Sequence, residues 1–249
     1  MSQTVIDINC DLGEGTGNEL AIMPFISSVN IACGFHAGNA LTMMEVVRLA
    51  KKHHVAIGAH PSYEDREHFG RRIMHISPSE IYAGVLYQMG ALAAICQTEK
   101  INLHHIKPHG ALYNQAARDM EIAKAIAAAV KDFNPSLIVY GLSGSMLISA
   151  AKSAGLRTAS EVFADRTYTP EGELTPRSMH NALITDPHEV TRQVLSIVKL
   201  NAVTTTDNSL FSVNAETICI HGDGLHAPEF AREVSHALAN ENIKIQSPS

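Results

Sequence analysis

Seven short runs rich in β-branched residues recur along this chain, and their recurrence constrains the fold more than any other feature. They are Val5–Asn9, Ser28–Ala32, Val55–Ala59, Leu103–Lys107, Leu137–Tyr140, Arg157–Ser160 and Thr217–Ile220. Runs this short and this continuously apolar suit strands buried on both faces better than half-exposed antiparallel ones. Helical patterns lie between them. Ile81, Val85, Met89, Leu92 and Cys96 repeat at helical spacing, as do Ile122, Ile126 and Val130, and later Val190, Val194 and Val198. Ser77-Pro78-Ser79-Glu80 and Asp186-Pro187-His188-Glu189 each supply an N-cap, a first-turn proline and a capping-box glutamate. Strand–helix alternation from end to end predicts an α/β fold on a parallel sheet, open or closed.

With 249 residues and 45% hydrophobic content, the chain can bury one substantial core. It shows no internal repeat, low-complexity tract or linker, so residues 1–249 read as a single domain. Two connections are long, His60 to Ser77 and Glu161 to Asp186, and such loops are functional or carry small elements of their own. The polar insert from Asn201 to Asn214 reads as a surface hairpin. A net charge of -6 offers no footprint for nucleic acid or an anionic membrane. The opening MSQTVIDINCDLGEG lacks the basic and apolar regions of a signal peptide, and no run reaches membrane-span length. Four scattered cysteines without a CxxC pair fit reduced thiols in the cytoplasm.

The chemistry lies in position. Six of the seven runs lead, at or just past their C-terminal ends, into reactive polar residues: Asp11 and Glu14, then His36, His60, Lys107 with His109, Glu161 with Asp165 and Arg166, and His221 with Asp223. In parallel barrels and open parallel sheets these ends converge on the face where ligands bind. The fifth end, Gly141-Leu142-Ser143-Gly144-Ser145, could cradle an anion at the start of the next helix.

Each residue also has a plainer reading. The glycines beside these groups suit ordinary strand-to-helix turns. The acidic loop of Asp11 and Glu14 does not match the phosphate loop GxxxxGK[ST], so acid–base work or metal ligation fits it better. Asp11, His36 and His60 are a candidate divalent-metal set, although no HExxH or HxH spacing ties them together. Lys107 and His109 face one side of an extended segment. The lysine there needs an anion, either a ligand or a neighbouring carboxylate such as Glu161. Arg71, Arg72 and Arg166 stand in the long loops, where each could clamp a carboxylate or phosphate; Arg71 reads as the most solvated. His104 and His105 must diverge, and His53 and His54 close a helix. Cys10 and Cys33 read as buried thiols rather than nucleophiles.

The blocks NCDLGEG, NIACGFHAG, GAHPSY, FGRR, HHIKPHGALYN, EVFADRTY, LTPRS and ICIHGD, in that order along nearly the whole chain, resemble the LamB/YcsF family. That resemblance implies an irregular seven-stranded β/α barrel of the glycoside hydrolase/deacetylase type. It further implies ATP-dependent hydrolysis of a small lactam, 5-oxo-L-proline, to L-glutamate by an A component working with 5-oxoprolinase subunits B and C. ATP would be handled with those partners, and a homo-oligomer is compatible with the sequence. On this reading Asp11 or Glu161 activates water, assisted by His60 or His109, and Lys107 stabilises the developing oxyanion or phosphate. Arg72 or Arg166 holds the substrate carboxylate, with Glu14, His36, His221 and Asp223 completing the binding site. Two rival readings stand beside it. One is a metal-dependent carbohydrate deacetylase, which the lack of Trp and the 5% aromatic content disfavour. The other is a non-catalytic binding protein, which the convergent acid, base and cation set disfavours.

Overall fold

The computed structural model describes residues 4–224 and 226–249. Among these, the strands are β1 (Val5–Leu12), β2 (Ser28–Ala32), β3 (Ala56–His60), β4 (His105–Ile106), β5 (Ile138–Leu142), β6 (Arg157–Phe163), β7 (Ala202–Thr204), β8 (Leu210–Ser212), β9 (Thr217–His221) and β10 (Lys244–Ile245). The α-helices are α1 (Glu19–Ile22), α2 (Ala40–His53), α3 (Pro78–Thr98), α4 (Gly110–Ala116), α5 (Met120–Phe133), α6 (Met146–Ser153), α7 (Pro187–Leu200) and α8 (Ala227–Asn240). Strands β1 to β6 and β9 pair in parallel, each with its neighbour. Because β9 also returns to β1 across Asp7–Asp11, the sheet closes. The result is a seven-stranded β/α barrel, and every expected run contributes one strand. Among the described residues, strand β10 pairs only with the start of β1, outside the closure.

Of the seven barrel strands β2 alone keeps its expected bounds, and three of the departures, in β1, β4 and β6, bear on the site. Strand β4 keeps only His105 and Ile106 of the expected Leu103–Lys107, and Pro108, with no N–H for the ladder, limits its C-terminal end. Strands β1 and β6 run on to Leu12 and Phe163, so Asp11 and Glu161 lie inside strands rather than past their ends. The long loops carry small elements, as anticipated. A 3₁₀ turn at Arg66–His68 interrupts the first. Isolated bridges Arg166↔Leu183 and Tyr168↔Leu174 tie the second. The Asn201–Asn214 insert is an antiparallel hairpin of β7 and β8.

Alternation along the strands sorts side chains between two environments. From β1, Ile8, Cys10 and Leu12 point outward into the apolar core that the helices cover. Its inward residues Asp7, Asn9 and Asp11 join hydrogen bonds across the barrel. Two helices of the outer layer carry the caps their sequence suggests, one of them in full. Ser77 and Glu80 form a reciprocal capping box on α3, whereas Asp186 caps α7 through the N–H groups of His188 and Glu189 with no reciprocal bond from Glu189 among the described residues. No helix among the described residues is long and apolar enough to cross a membrane.

The closed end of the barrel is a hydroxyl cage around one carboxyl. Asp7 Oδ1 accepts from Ser27 Oγ (2.6 Å) and Ser28 Oγ (2.8 Å), and Oδ2 from Thr217 Oγ1 (2.6 Å) and Tyr140 OH (3.0 Å). Burial raises the Asp7 pKa, and the four hydroxyls offset only part of that rise. A carboxyl with a raised folded-state pKa stabilises the fold fully below its unfolded value and loses that contribution as pH rises through the folded value. Asp7→Asn removes this titration. Its stability relative to the parent should therefore improve as pH rises above about 4, the ordinary aspartate value, compared by urea midpoints at each pH. Parallel profiles for the two proteins would contradict the burial-driven shift.

Candidate active site

Above the Asp7 cage the barrel interior holds a buried ammonium. Lys107 extends from the end of β4 and is 2% exposed. Its Nζ lies 2.8 Å from Asp11 Oδ1, 2.8 Å from Glu161 Oε1 and 3.1 Å from Asn9 Oδ1, so its three protons are met. Cys219 Sγ is a further 3.0 Å neighbour. Burial alone would lower the Lys107 pKa, but Asp11, Cys219 and Glu161 hold it well above the usual lysine range. For Asp11, burial favours the neutral acid, yet His60 and Lys107 prevail and keep it well below the ordinary carboxylate range. The pair is therefore charged on both sides.

Asparagines and a tyrosine complete this layer. Asn9 Nδ2 donates to Glu161 Oε1 (2.9 Å) and Thr217 Oγ1 (2.7 Å). Asn30 Nδ2 donates to Asn9 Oδ1 and Asp11 Oδ1, both at 2.7 Å. Tyr113 OH donates to Glu161 Oε2 at 2.7 Å, so both oxygens of Glu161 are occupied. His105 Nε2 donates to Asn30 Oδ1 at 2.8 Å while its ring stacks on Tyr140 at 4.1 Å. Such close stacking requires Gly58 on the neighbouring strand, because a Cβ there would overlap the His105 ring.

Toward the mouth, three imidazoles and one carboxylate converge. His60 donates its Nδ1–H to the Lys107 carbonyl (2.7 Å), and His109 donates its Nε2–H to the Phe69 carbonyl (2.9 Å). Their other nitrogens face each other at 3.0 Å. Glu14 Oε1 lies 3.1 Å from His36 Nε2, 3.5 Å from His109 Nδ1 and 3.9 Å from His60 Nε2. Burial and His60 push the His36 pKa down to about 2, and burial with the neighbouring imidazoles holds His109 well below the usual range. Burial and Asp11 raise that of Glu14 well above the usual carboxylate range. Glu14, His36, His60 and His109 form a group able to hold a metal ion. The expected trio of Asp11, His36 and His60 is thereby regrouped. Asp11 belongs to a second group with Cys219 and His221, and its Oδ1 is already taken by Lys107 and Asn30.

The site opens into a cavity of about 1060 Å³. His221 lines it with Nδ1–H donated to Asp165 Oδ1 at 2.9 Å, and Asp223 meets Arg71 Nη2 at 2.6 Å on its rim. Arg71 thus reaches the mouth instead of standing solvated in its loop. Arg166 also lines the cavity but is buried, with its guanidinium tied to the carbonyls of Ala182 and Thr175. Arg72 is exposed and paired with Asp65 at 3.2 Å, away from the cavity lining. Asn9, Asn30, Tyr113, Cys219 and Arg177 belong to the site or its walls and carry no role in the sequence reading. Signals for all five are present in the sequence. Asp7-Ile8-Asn9-Cys10-Asp11 and Ser28-Val29-Asn30 alternate polar and apolar, and Tyr113, Arg177 and Cys219 fall within the blocks HHIKPHGALYN, LTPRS and ICIHGD.

A sequence model of the LamB/YcsF family matches residues 6–249. The A component of 5-oxoprolinase from Geobacillus kaustophilus is 52% identical over 247 residues, covering 98% of this chain and 96% of that protein. The crystal structure of a lactam utilization protein from Thermus thermophilus superposes with a TM-score of 0.92 at 46% identity, covering 98% of this chain and 100% of that one. A deacetylase solved with its substrate shares the fold alone, at a TM-score of 0.52 and 11% identity over 98% of this chain and 88% of its own.

Removing the ammonium should be costly. Lys107→Met leaves Asp11 and Glu161 buried without their cation, a loss expected to destabilise by about 3–5 kcal/mol in urea unfolding. Adding Glu161→Gln should recover part of that loss, because the two changes share one buried network. Strictly additive effects would contradict the coupling.

Proposed function

The chain belongs to the LamB/YcsF family, and from that premise we propose that it opens the ring of 5-oxo-L-proline as the A component of an ATP-dependent 5-oxoprolinase. Subunits B and C are its proposed partners, and L-glutamate is the product. The observation that carries this reading is the 52% identity to the Geobacillus 5-oxoprolinase component across 98% of the chain. Four free, buried thiols support a reducing, cytoplasmic setting.

The chemistry explains why such a reaction needs ATP and partners. A five-membered lactam is a resonance-stabilised amide with a poorly electrophilic carbonyl. Transfer of the γ-phosphoryl group of ATP to the lactam oxygen releases ADP and leaves an activated imidate. Water then adds to the ring carbon and gives up a proton to a base. Expulsion of the ring nitrogen breaks the C–N bond, and a second water cleaves the resulting acyl phosphate to glutamate and phosphate. This chain has no GxxxxGK[ST] loop, so the nucleotide is assigned to a site made with the partners.

The geometry favours particular roles within that scheme. Asp11 is the proposed base: Lys107 and Asn30 hold Oδ1, while Oδ2 lies 3.4 Å from His60 Nε2 on the cavity side. Glu161 has both oxygens engaged and serves to hold Lys107. Lys107, with its protons committed, positions Asp11 instead of offering a free donor to an oxyanion. Arg71 and Arg177, both lining the cavity, replace Arg72 and Arg166 as candidates for the substrate carboxylate.

The test is glutamate release from 5-oxoproline and ATP, first by this chain alone and then with subunits B and C. Turnover should require the complete mixture, and Asp11→Asn should lower kcat by about 10²–10⁴-fold with the fold intact. Absence of glutamate in every combination, or full activity in Asp11→Asn, would overturn the assignment.

A further inference from the structure

We propose that Glu14, His36, His60 and His109 form the binding site for a single transition-metal cation of the zinc class. The argument starts from hydrogen positions. His60 commits its Nδ1–H to the Lys107 carbonyl, and His109 commits its Nε2–H to the Phe69 carbonyl. A carbonyl oxygen only accepts, so both tautomers are fixed. On the neutral rings the remaining nitrogens carry lone pairs, and these two nitrogens face each other across 3.0 Å. Glu14 Oε1 adds a third acceptor, 3.5 Å from one of these nitrogens and 3.9 Å from the other, and His36 Nε2 lies 3.1 Å from it. The four ligand atoms lie within 4.8 Å of one another.

A proton can reconcile one pair of these atoms at a time, whereas a cation meets all of them together. The groups behind these four residues serve the same end. Ligating histidines characteristically donate their remote N–H to a carbonyl or carboxylate, as His60 and His109 do. His36 is held differently: its ring stacks on His109 at 3.8 Å and 4°, and its Nδ1 is buried without a partner among the described residues. Phe69 packs edge-on to His36 and His109, at 5.5 and 5.4 Å. Gly70 follows with φ +65°, and a Cβ there would lie 2.9 Å from His36 Cβ and 3.0 Å from His109 Cδ2. The long loop after β3 therefore closes over the imidazoles.

Donor chemistry selects the ion. Three imidazole nitrogens and one carboxylate oxygen suit zinc, cobalt, nickel or iron, while magnesium and calcium prefer oxygen ligands throughout. A divalent ion there would act as a Lewis acid beside Asp11. The neighbouring group of Asp11, Cys219 and His221 is not such a site, since the Lys107 ammonium stands 2.8 Å from Asp11 Oδ1 and 3.0 Å from Cys219 Sγ.

The experiment strips the chain with a chelator, loads it separately with Zn(II), Co(II) or Mg(II), desalts it and measures bound metal by elemental mass spectrometry. About one zinc or cobalt per chain should be retained and no magnesium, with the cobalt form showing visible d–d absorption. Glu14→Ala and His109→Ala should each weaken binding by about 100-fold or more, and His221→Ala should retain the ion. His109→Gln, compared by circular dichroism, separates ligand loss from misfolding. No retained ion, equal retention in Glu14→Ala and His109→Ala, or loss in His221→Ala alone would overturn the proposal. Retention is read without nucleotide or 5-oxoproline, so it stands or falls apart from the lactam-opening reading.

Discussion

A lysine ammonium removed from water costs several kcal/mol unless anions and acceptors meet each of its protons. Lys107 satisfies that condition with groups drawn from both sides of the barrel: Asp11 and Asn9 from β1, and Glu161 from β6. Those strands are bridged by β9, whose Thr217 and Cys219 join the same network. Barrel closure and charge compensation are therefore one constraint. A register slip in β1 would send Asp7, Asn9 and Asp11 into the apolar outer layer, strip Lys107 of two of its acceptors and deprive Asn30 Nδ2 of both of its own.

That polar interior also explains what the sequence discloses and what it hides. The helices around the barrel are legible because their apolar faces repeat at helical spacing and their caps are written in local residues, as Ser77 and Glu80 demonstrate. The convergence of Asp11, Glu14, His36, His60, Lys107, His109 and Glu161 is legible because parallel strands bring their C-terminal ends together. Inward direction is harder to read. In Val5–Leu12 the polar residues alternate with apolar ones, a pattern that ordinarily marks a solvent-facing side. Here the helices cover the outer face, so the polar side faces an enclosed interior. The arginines are hidden for another reason. Loop position singles out Arg72 and Arg166, but Asp65 holds one outside and two backbone carbonyls hold the other within its own loop. Loop residues separated by long stretches of sequence meet only through tertiary packing, which residue spacing does not encode.

The barrel axis carries a graded electrostatic environment. At the closed end, burial raises the Asp7 pKa among its four hydroxyl partners. In the middle, Lys107 and its carboxylates are charged and mutually compensated. At the mouth, His36 and His109 favour the neutral form, presenting lone pairs and not charge. Fixed charge is thus kept where buried partners pin its geometry.

The rim extends this division outward. Arg71 and Asp223 are paired at 2.6 Å but partly exposed, with side chains 39% and 24% accessible. An ion pair so placed is worth little, typically below about 1 kcal/mol, because water and salt screen it. An incoming carboxylate can therefore draw Arg71 from Asp223 at small cost. The same exchange at Lys107 would strand a buried anion and is correspondingly expensive. The inner network holds Asp11 in place, whereas the outer pair can be exchanged at little cost; the difference in burial between Lys107 and Arg71 separates the two.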